Sequence, residues 1–390
     1  MSAPTSTPTS ASRKWPARST TSCPSQQTRH KRLPPRQAPQ PRSLHMSKAK
    51  VRVGIVGAGP IGGLGHRPFS HAAGYRRCED AELVAIADID PQRLQQFGDE
   101  WEIEPEHRYP TAVDMYEKAR LDVVDVTTNT LYHHHPVIEA AEAGIKVVMV
   151  EKPLATSVAW GRKMVAACDR SGTRLITEHT RRFLPHYQRL KRMIDDGAIG
   201  RVKTITYEGC RPLLTNGTHT VDYAFFFTDA QPQLVSGYLN TETVADPGGA
   251  GMIACSDGIV VFIDCIAERK ESLGYTKIAG TEGRIHFSER RGLWEYGPLV
   301  EADEGYGTRY DFEPIPDMPA EFTLDDYFYS ATRESIDCLL EDRESVSTGR
   351  DGLKALEVIT AIHVSHKTGT QVSLPLAEGL DELEIRSTGE

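Results

Sequence analysis

The residues most suited to chemistry begin with Gly57-Ala58-Gly59-Pro60-Ile61-Gly62, which follows directly on the β-branched run Val51-Arg52-Val53-Gly54-Ile55-Val56. A strand entering G-x-G-x-x-G is the context in which such glycines can cradle a dinucleotide. Gly57 permits the tight turn and Gly59 lets the backbone approach a pyrophosphate. Gly62 lets the next helix pack close to the strand with its N–H groups toward the phosphates. The run Leu83-Val84-Ala85-Ile86-Ala87 then ends in Asp88, an acid placed to accept from both hydroxyls of an adenosine ribose. No Arg or Lys directly follows Asp88 to receive a 2′-phosphate, so NAD is favoured over NADP.

The elements that must position these residues alternate between strand and helix. Asp122–Thr127 reads as a buried parallel strand, residues 135–143 as a short helix ending at Gly144, and Lys146–Val150 as another strand. Ligands of open α/β sheets sit beyond the carboxyl ends of strands. Thr127-Thr128-Asn129 and Glu151-Lys152-Pro153 both fall there. A helix near 157–170, closed by Gly172, and a strand over 174–178 complete the expected unit, a doubly wound parallel sheet over residues 51–178. Beyond it the pattern changes. Segments 202–210, 233–239, 251–255, 258–266, 274–279 and 284–288 read as strands, with Ser256-Asp257-Gly258 a hairpin signal. Residues 179–390 are therefore expected to form an α+β domain with a largely antiparallel open sheet. One helix is expected from Thr215 to about Phe227, putting Thr215, His219 and Asp222 on a shared face.

Composition removes several classes of function. The formal charge is −9, yet residues 1–50 contain ten Lys and Arg and no acid, leaving −19 on the rest. An acidic body repels phosphate backbones, so nucleic acid is not an expected partner. No apolar run approaches the roughly 18 residues of a membrane span. Seven cysteines without a C-x-x-C pair argue against a disulfide framework or structural zinc and fit a reducing cytoplasm. His133-His134-His135 invites a metal reading. Contiguous side chains diverge, however, and no carboxylate cluster accompanies them, so no metal is expected. The tail over 1–50 has too little apolar surface to offset its ordering entropy and is expected to be disordered. It is read as a dispensable extension, with Met46 an alternative initiator, rather than as a basic arm.

Together, Gly57–Gly62, Thr127-Thr128-Asn129, Ala143–Pro153, Arg181-Arg182-Phe183-Leu184-Pro185, Gly217–Asp222, Ala279-Gly280-Thr281-Glu282-Gly283 and Gly352–Glu357 resemble the glucose–fructose oxidoreductase/inositol dehydrogenase (Gfo/Idh/MocA) family, in order from about residue 51 to about 376. The resemblance implies a nicotinamide-dependent dehydrogenase. Lys152 would lie between nicotinamide and substrate, one of the three contiguous histidines near the cofactor, and the second sheet's open face against another subunit of a dimer or tetramer. It implies catalytic roles for Lys152 and His219. Gly57, Gly59, Pro60, Ile61, Gly62, Asp88, Thr127, Thr128, Asn129, Glu151 and Lys152 would serve the cofactor. Lys152, Arg182, Thr215, Asn216, His219 and Asp222 would serve the substrate, although Arg182 suits a structural ion pair equally well.

Thr215 departs from the family pattern, which has an aspartate four positions before the histidine. A hydroxyl orients an imidazole less well than a carboxylate does. Three arrangements stay open: a less basic His219, Lys152 as main base, or Asp222 as the orienting acid. The function expected is hydride transfer between a secondary hydroxyl of a sugar, polyol or glycoside and NAD. The alternatives are a redox-neutral glycosidase or lyase using NAD transiently, and a non-enzymatic dinucleotide-binding regulator. Retention of both Lys152 and His219 argues against the regulator.

Overall fold

The computed structural model describes residues 49–386, apart from 242–244, 269, 272–273, 303–306 and 320–322. The basic tail lies outside the described residues.

Six strands, β1 (Val51–Val56), β2 (Ala81–Ala87), β3 (Arg108–Tyr109), β4 (Val123–Val126), β5 (Val147–Val150) and β6 (Arg174–Thr177), form a parallel sheet in the order β3-β2-β1-β4-β5-β6. β4 and β5 are buried at every position, as parallel strands covered on both faces must be. Helices α1 (His71–Arg76), α2 (Pro91–Glu100), α3 (Ala112–Lys118), α4 (His134–Glu142) and α5 (Val158–Ser171) connect them. The boundaries follow local chemistry. Asp90 caps α2 by accepting from the backbone of Gln92 and Arg93, with Pro91 in the first turn. Ser157 caps α5, and Gly172 ends it in the left-handed conformation at φ +72°. Strand order reverses between β1 and β4, which opens the crevice at their carboxyl ends.

Helix α1 does not begin where the glycines suggest. The chain turns at Gly59, where Gly63 and Leu64 donate to the Gly59 carbonyl, and then makes an excursion over residues 63–70. The His71 and Ala72 N–H groups return to the Ile61 and Gly62 carbonyls at 3.1 and 3.0 Å, so α1 resumes the turn opened at the glycines.

After α6 (Pro185–Asp195) the chain enters a second, mixed sheet. Its members are β7 (Val202–Glu208), β8 (Pro232–Leu239), β9 (Gly249–Cys255), β10 (Val260–Cys265), β11 (Tyr275–Gly280), β12 (Gly283–Ser288), β13 (Leu293–Glu301), β14 (Thr308–Tyr310), β15 (Glu313–Pro314) and β16 (Val372–Ser373). The order is β14-β13-β12-β11-β7-β10-β9-β8-β16, with β15 on β13. All pairings are antiparallel except β10 on β7. The hairpin at Ser256-Asp257-Gly258 joins β9 to β10, with Gly258 at φ +72°.

Three further helices tie the sheets together. α7 (Gly217–Thr228) is apolar nearly all round and buried along most of its length, as a helix enclosed on every side must be. α8 (Leu324–Leu340) crosses α1 at Gly74, where an added Cβ would meet the Phe328 carbonyl at 2.8 Å. α9 (Gly349–Thr368) opens with a Thr348–Asp351 capping box and packs on α5, β6 and β8. One continuous apolar cluster consequently runs from Val56 and Val124 through Phe227 to Ile278 and Ile362.

The β8–α9 crossing is tight: a Cβ on Gly237 would lie 2.6 Å from the Ile362 Cα and carbonyl oxygen. Backbone cannot yield as a side chain can. Gly237→Ala is expected to lower stability by about 1–3 kcal/mol in urea unfolding, as overpacking does. A loss within error would show that this crossing is loose.

Candidate functional site

Two cavities open at the carboxyl end of the parallel sheet. The first, of about 400 Å³, is lined by Gly57 and Gly59 after β1, Asp88 after β2, Thr127, Thr128 and Asn129 after β4, and Tyr132 and His135 before and on α4. Gly57 has φ +105°, and a Cβ there would lie 2.8 Å from the Thr128 backbone nitrogen. A Cβ on Gly62 would lie 2.6 Å from the Gly57 carbonyl oxygen. Both glycines are thus required by the fold itself. Gly59 is different: a Cβ there would meet nothing within 4 Å, and its φ is not in the left-handed range.

Several polar groups around this cavity are uncommitted. The Thr128 hydroxyl is buried without a partner. Among the described residues, the backbone N–H groups of Gly59, Ile61 and Gly62 donate to nothing in the protein. Three such donors and an open glycine fit a pyrophosphate, which binds to clustered backbone N–H groups. They come from the turn itself, not from the start of α1, whose His71 and Ala72 N–H groups are already bonded.

The other candidate cofactor residues have mixed roles. Asp88 accepts from Ala58 N at 2.6 Å and Asp90 N at 2.8 Å, which fixes its carboxylate on the cavity wall. The Thr127 hydroxyl donates to the Gly57 carbonyl at 2.8 Å and so fastens the glycine turn to β4. Asn129 caps a short turn by accepting from Leu131 N. Pro60 is exposed and lines neither cavity. Against the expected divergence, the His134 and His135 rings lie 4.1 Å apart, and His133 turns away from them. His133 lies between the Thr128 carbonyl (3.0 Å) and the Pro153 carbonyl (3.1 Å), joining the two strand ends. His134 stacks on Trp160 at 3.8 Å, and His135 faces the cavity. No metal-holding cluster occurs among the described residues.

The second cavity, of about 500 Å³, is lined by Ile61 from the glycine turn, Glu151 and Lys152 after β5, Glu178 and Arg181 after β6, and Asn216 and His219 around the start of α7. Tyr187, Tyr207, Tyr223, Phe287 and Tyr327 supply aromatic walls. Lys152, just after β5, and His219, on α7, therefore face one space. The Lys152 ammonium donates to the Thr215 carbonyl at 3.2 Å. Burial, together with the neighbouring Arg181, Lys152 and His179, holds the His219 imidazole well below its usual pKa, so it is neutral at physiological pH. Its Nδ1 has no partner.

Three substrate candidates are engaged elsewhere. α7 begins at Gly217, so Thr215 lies outside the helical face, and its hydroxyl donates to Asp246 at 2.7 Å. Asp222 is buried against Arg182 (2.8 Å) and His179 (3.2 Å); it does not orient His219. Arg182 is buried by its pairs with Asp222 and Asp351 and its bond to the Val346 carbonyl, so it joins the layers and does not line the cavity. The arginine that faces the cavity is its neighbour, Arg181.

Sequence reasoning missed the buried group behind the site. His71 lies between Asp125 of β4 (Nδ1–Oδ2, 2.7 Å) and Glu151 (Nε2–Oε1, 2.9 Å). Burial opposes its charge, but the two carboxylates outweigh that and raise its pKa well above 6.5. Burial likewise opposes ionisation of Glu151, and the His71 hydrogen bond holds its pKa below the usual range. The other Glu151 oxygen accepts from the Lys152 backbone N–H at 3.1 Å. An acid inside an otherwise all-valine strand, Val123-Val124-Asp125-Val126, was the available signal, because a buried carboxylate demands a partner.

His71 holds its proton more tightly in the folded than in the unfolded protein. Its stabilising effect is therefore complete below the unfolded value near 6.5 and is lost as pH rises through the higher folded value. His71→Gln is expected to cost about 3–5 kcal/mol by stranding two buried carboxylates, and to remove the fall in stability above neutral pH. Urea midpoints across pH check this; an unchanged pH slope in the variant would contradict it.

Residues 51–179 match the family model GFO_IDH_MocA, described as an oxidoreductase family with an NAD-binding Rossmann fold. The D-apiose dehydrogenase of Rhizobium rhizogenes is 30% identical over 81% of this chain and 97% of its own. That of Paraburkholderia graminis is 28% identical over 82% and 90%. In fold, the aldose–aldose oxidoreductase of Caulobacter crescentus matches with a TM-score of 0.67 at 24% identity, over 83% of this chain and 100% of that one. With its parallel dinucleotide sheet, mixed second sheet and full-length relatives, the chain belongs to the Gfo/Idh/MocA family of oxidoreductases.

Proposed function

We propose that this protein is an NAD-dependent dehydrogenase that transfers a hydride between a secondary hydroxyl of a sugar, polyol or glycoside and the nicotinamide. The observation that carries this reading is the single cavity lined by Ile61, Lys152 and His219. Ile61 follows Gly59 by two residues, so the first cavity suits the adenosine and pyrophosphate and the second suits nicotinamide plus substrate. The dinucleotide, when bound, supplies the hydride acceptor.

The protein's own groups handle the rest. The Lys152 ammonium holds the substrate oxygen and stabilises negative charge on it. Neutral His219 accepts the hydroxyl proton as the carbinol hydride departs; in the reverse direction it returns that proton. Burial, with the nearby cations, depresses the His219 pKa and keeps the ring in its accepting form. Aromatic walls give the faces of a polyhydroxylated ring apolar surfaces to lie against. NAD is preferred to NADP because the Asp88 carboxylate occupies the place where a 2′-phosphate would meet like charge. Arg93, which also lines that cavity, lies 3.6 Å from the Asp90 carboxylate.

The second sheet leaves Tyr238, Met252 and Phe262 exposed on one face, a surface suited to a second copy of the chain. Light scattering is expected to report an oligomer that Phe262→Lys dissociates; a monomeric native protein would contradict this.

Lys152→Ala is expected to lower kcat/KM about 10²–10⁴-fold, the range for loss of a group acting on a transferring proton or its oxygen. Gly59→Ala is expected to weaken dinucleotide binding while leaving thermal stability unchanged. Reduced cofactor should accumulate with the native protein and a substrate of this class. Turnover without net reduction would instead establish the redox-neutral reaction.

A further inference from the structure

We propose that the substrate is a sugar acid whose carboxylate is received by the two terminal amino groups of Arg181. This rests on the dehydrogenase reading and narrows its substrate class. Arg181 lies in the turn Thr180–Phe183 and lines the Lys152–His219 cavity. Its Nε is 3.2 Å from the Glu289 carboxylate, which also accepts from the Tyr187 hydroxyl at 2.7 Å and from the Tyr327 hydroxyl. Those bonds anchor the guanidinium along one edge. Among the described residues, no hydrogen bond of the protein engages Nη1 or Nη2. What remains free is a planar pair of donors, the geometry that matches a carboxylate's two oxygens.

Charge points the same way. Of the acids lining the cavity, Glu151 is bound to His71 and Glu289 to Arg181. Burial and the neighbouring Glu151 charge push the Glu178 carboxyl upward, toward its neutral form. Asp246, behind Thr215, accepts from the Leu214 and Thr215 backbone and from the Thr215 hydroxyl. Lys152 and Arg181 thus face the space while its lining acids are engaged or held toward the neutral form. A carboxylate gives these cations a partner that a neutral sugar does not. Arg181 and His219 line the same cavity, which sets the anion's place beside the proposed proton acceptor.

The test compares kcat/KM of the native enzyme with saturating NAD for D-glucuronate against D-glucose, D-galacturonate against D-galactose, and D-glucose 6-phosphate. Dissociation constants of the same compounds are read by calorimetry. The acids are expected to exceed their neutral partners by about tenfold or more. Arg181→Gln should reduce kcat/KM for the acids about tenfold or more beyond its effect on the neutral sugars. Arg181→Lys, which keeps the Glu289 pair but not the fork, should fall between, guarding against a variant that fails to fold. Neutral sugars used as well as acids, equal losses for both classes in Arg181→Gln, or preference for the phosphate ester would each overturn the carboxylate assignment alone. Absence of reduced cofactor with every compound would overturn the dehydrogenase reading as well.

Discussion

The site depends on one buried cation. Burying a carboxylate in the middle of a parallel sheet is costly unless a counter-charge and hydrogen bond accompany it. Asp125 of β4 obtains both from His71, which reaches back from the first turn of α1 to span Asp125 and Glu151. The imidazolium thereby joins two neighbouring strands at their ligand-binding ends. Glu151 in turn holds the Lys152 backbone, and His133, between the Pro153 and Thr128 carbonyls, donates to one of them. The lysine consequently enters the cavity from a turn whose backbone is fixed on both sides. Such prior fixing is what a reacting centre requires, since small misplacements of a catalytic group cost large factors in rate.

The opposite wall is fixed by comparable means. Asp222 on α7 is shared by Arg182 and His179, and Arg182 also reaches Val346 and Asp351 at the start of α9. The buried charges thus form two groups, one behind Lys152 and one behind α7, with the cavity between them. Neither group touches the proposed reacting atoms; each holds the element that carries one. Among the described residues His219 has no carboxylate partner, so its position comes from packing and its neutral state from burial and the cations around it.

Much of the first sheet was legible because parallel strands leave an unambiguous trace. Runs such as Val147-Val148-Met149-Val150 are buried on both faces, and the glycines and Asp88 occur where a strand must end. The start of α1 was not legible. Residues 63–70 contain Gly63, Gly65 and Pro68, and nothing local says that His71 will return to the Ile61 carbonyl. The substrate wall was read with less success for a similar reason. Spacing placed Thr215 and Asp222 beside His219, but spacing knows nothing of Asp246 or Arg182, which capture them from distant parts of the chain. Of two adjacent arginines, only tertiary packing decides which is buried and which faces the cavity. Helices α6, α8 and α9 were also unread: much of their amphipathic pattern is satisfied by the first sheet and by α7, partners that sequence does not specify.

The proposed place of the cofactor's reactive ring is the cavity between the end of β5 and α7. A crystal structure with NAD bound tests it most directly. The nicotinamide should lie beside Ile61 with C4 turned into the cavity between the Lys152 ammonium and the His219 ring, leaving room for a carbinol at about 3–3.5 Å, the approach hydride transfer needs. A nicotinamide turned to solvent, or seated with C4 away from both side chains, would contradict it.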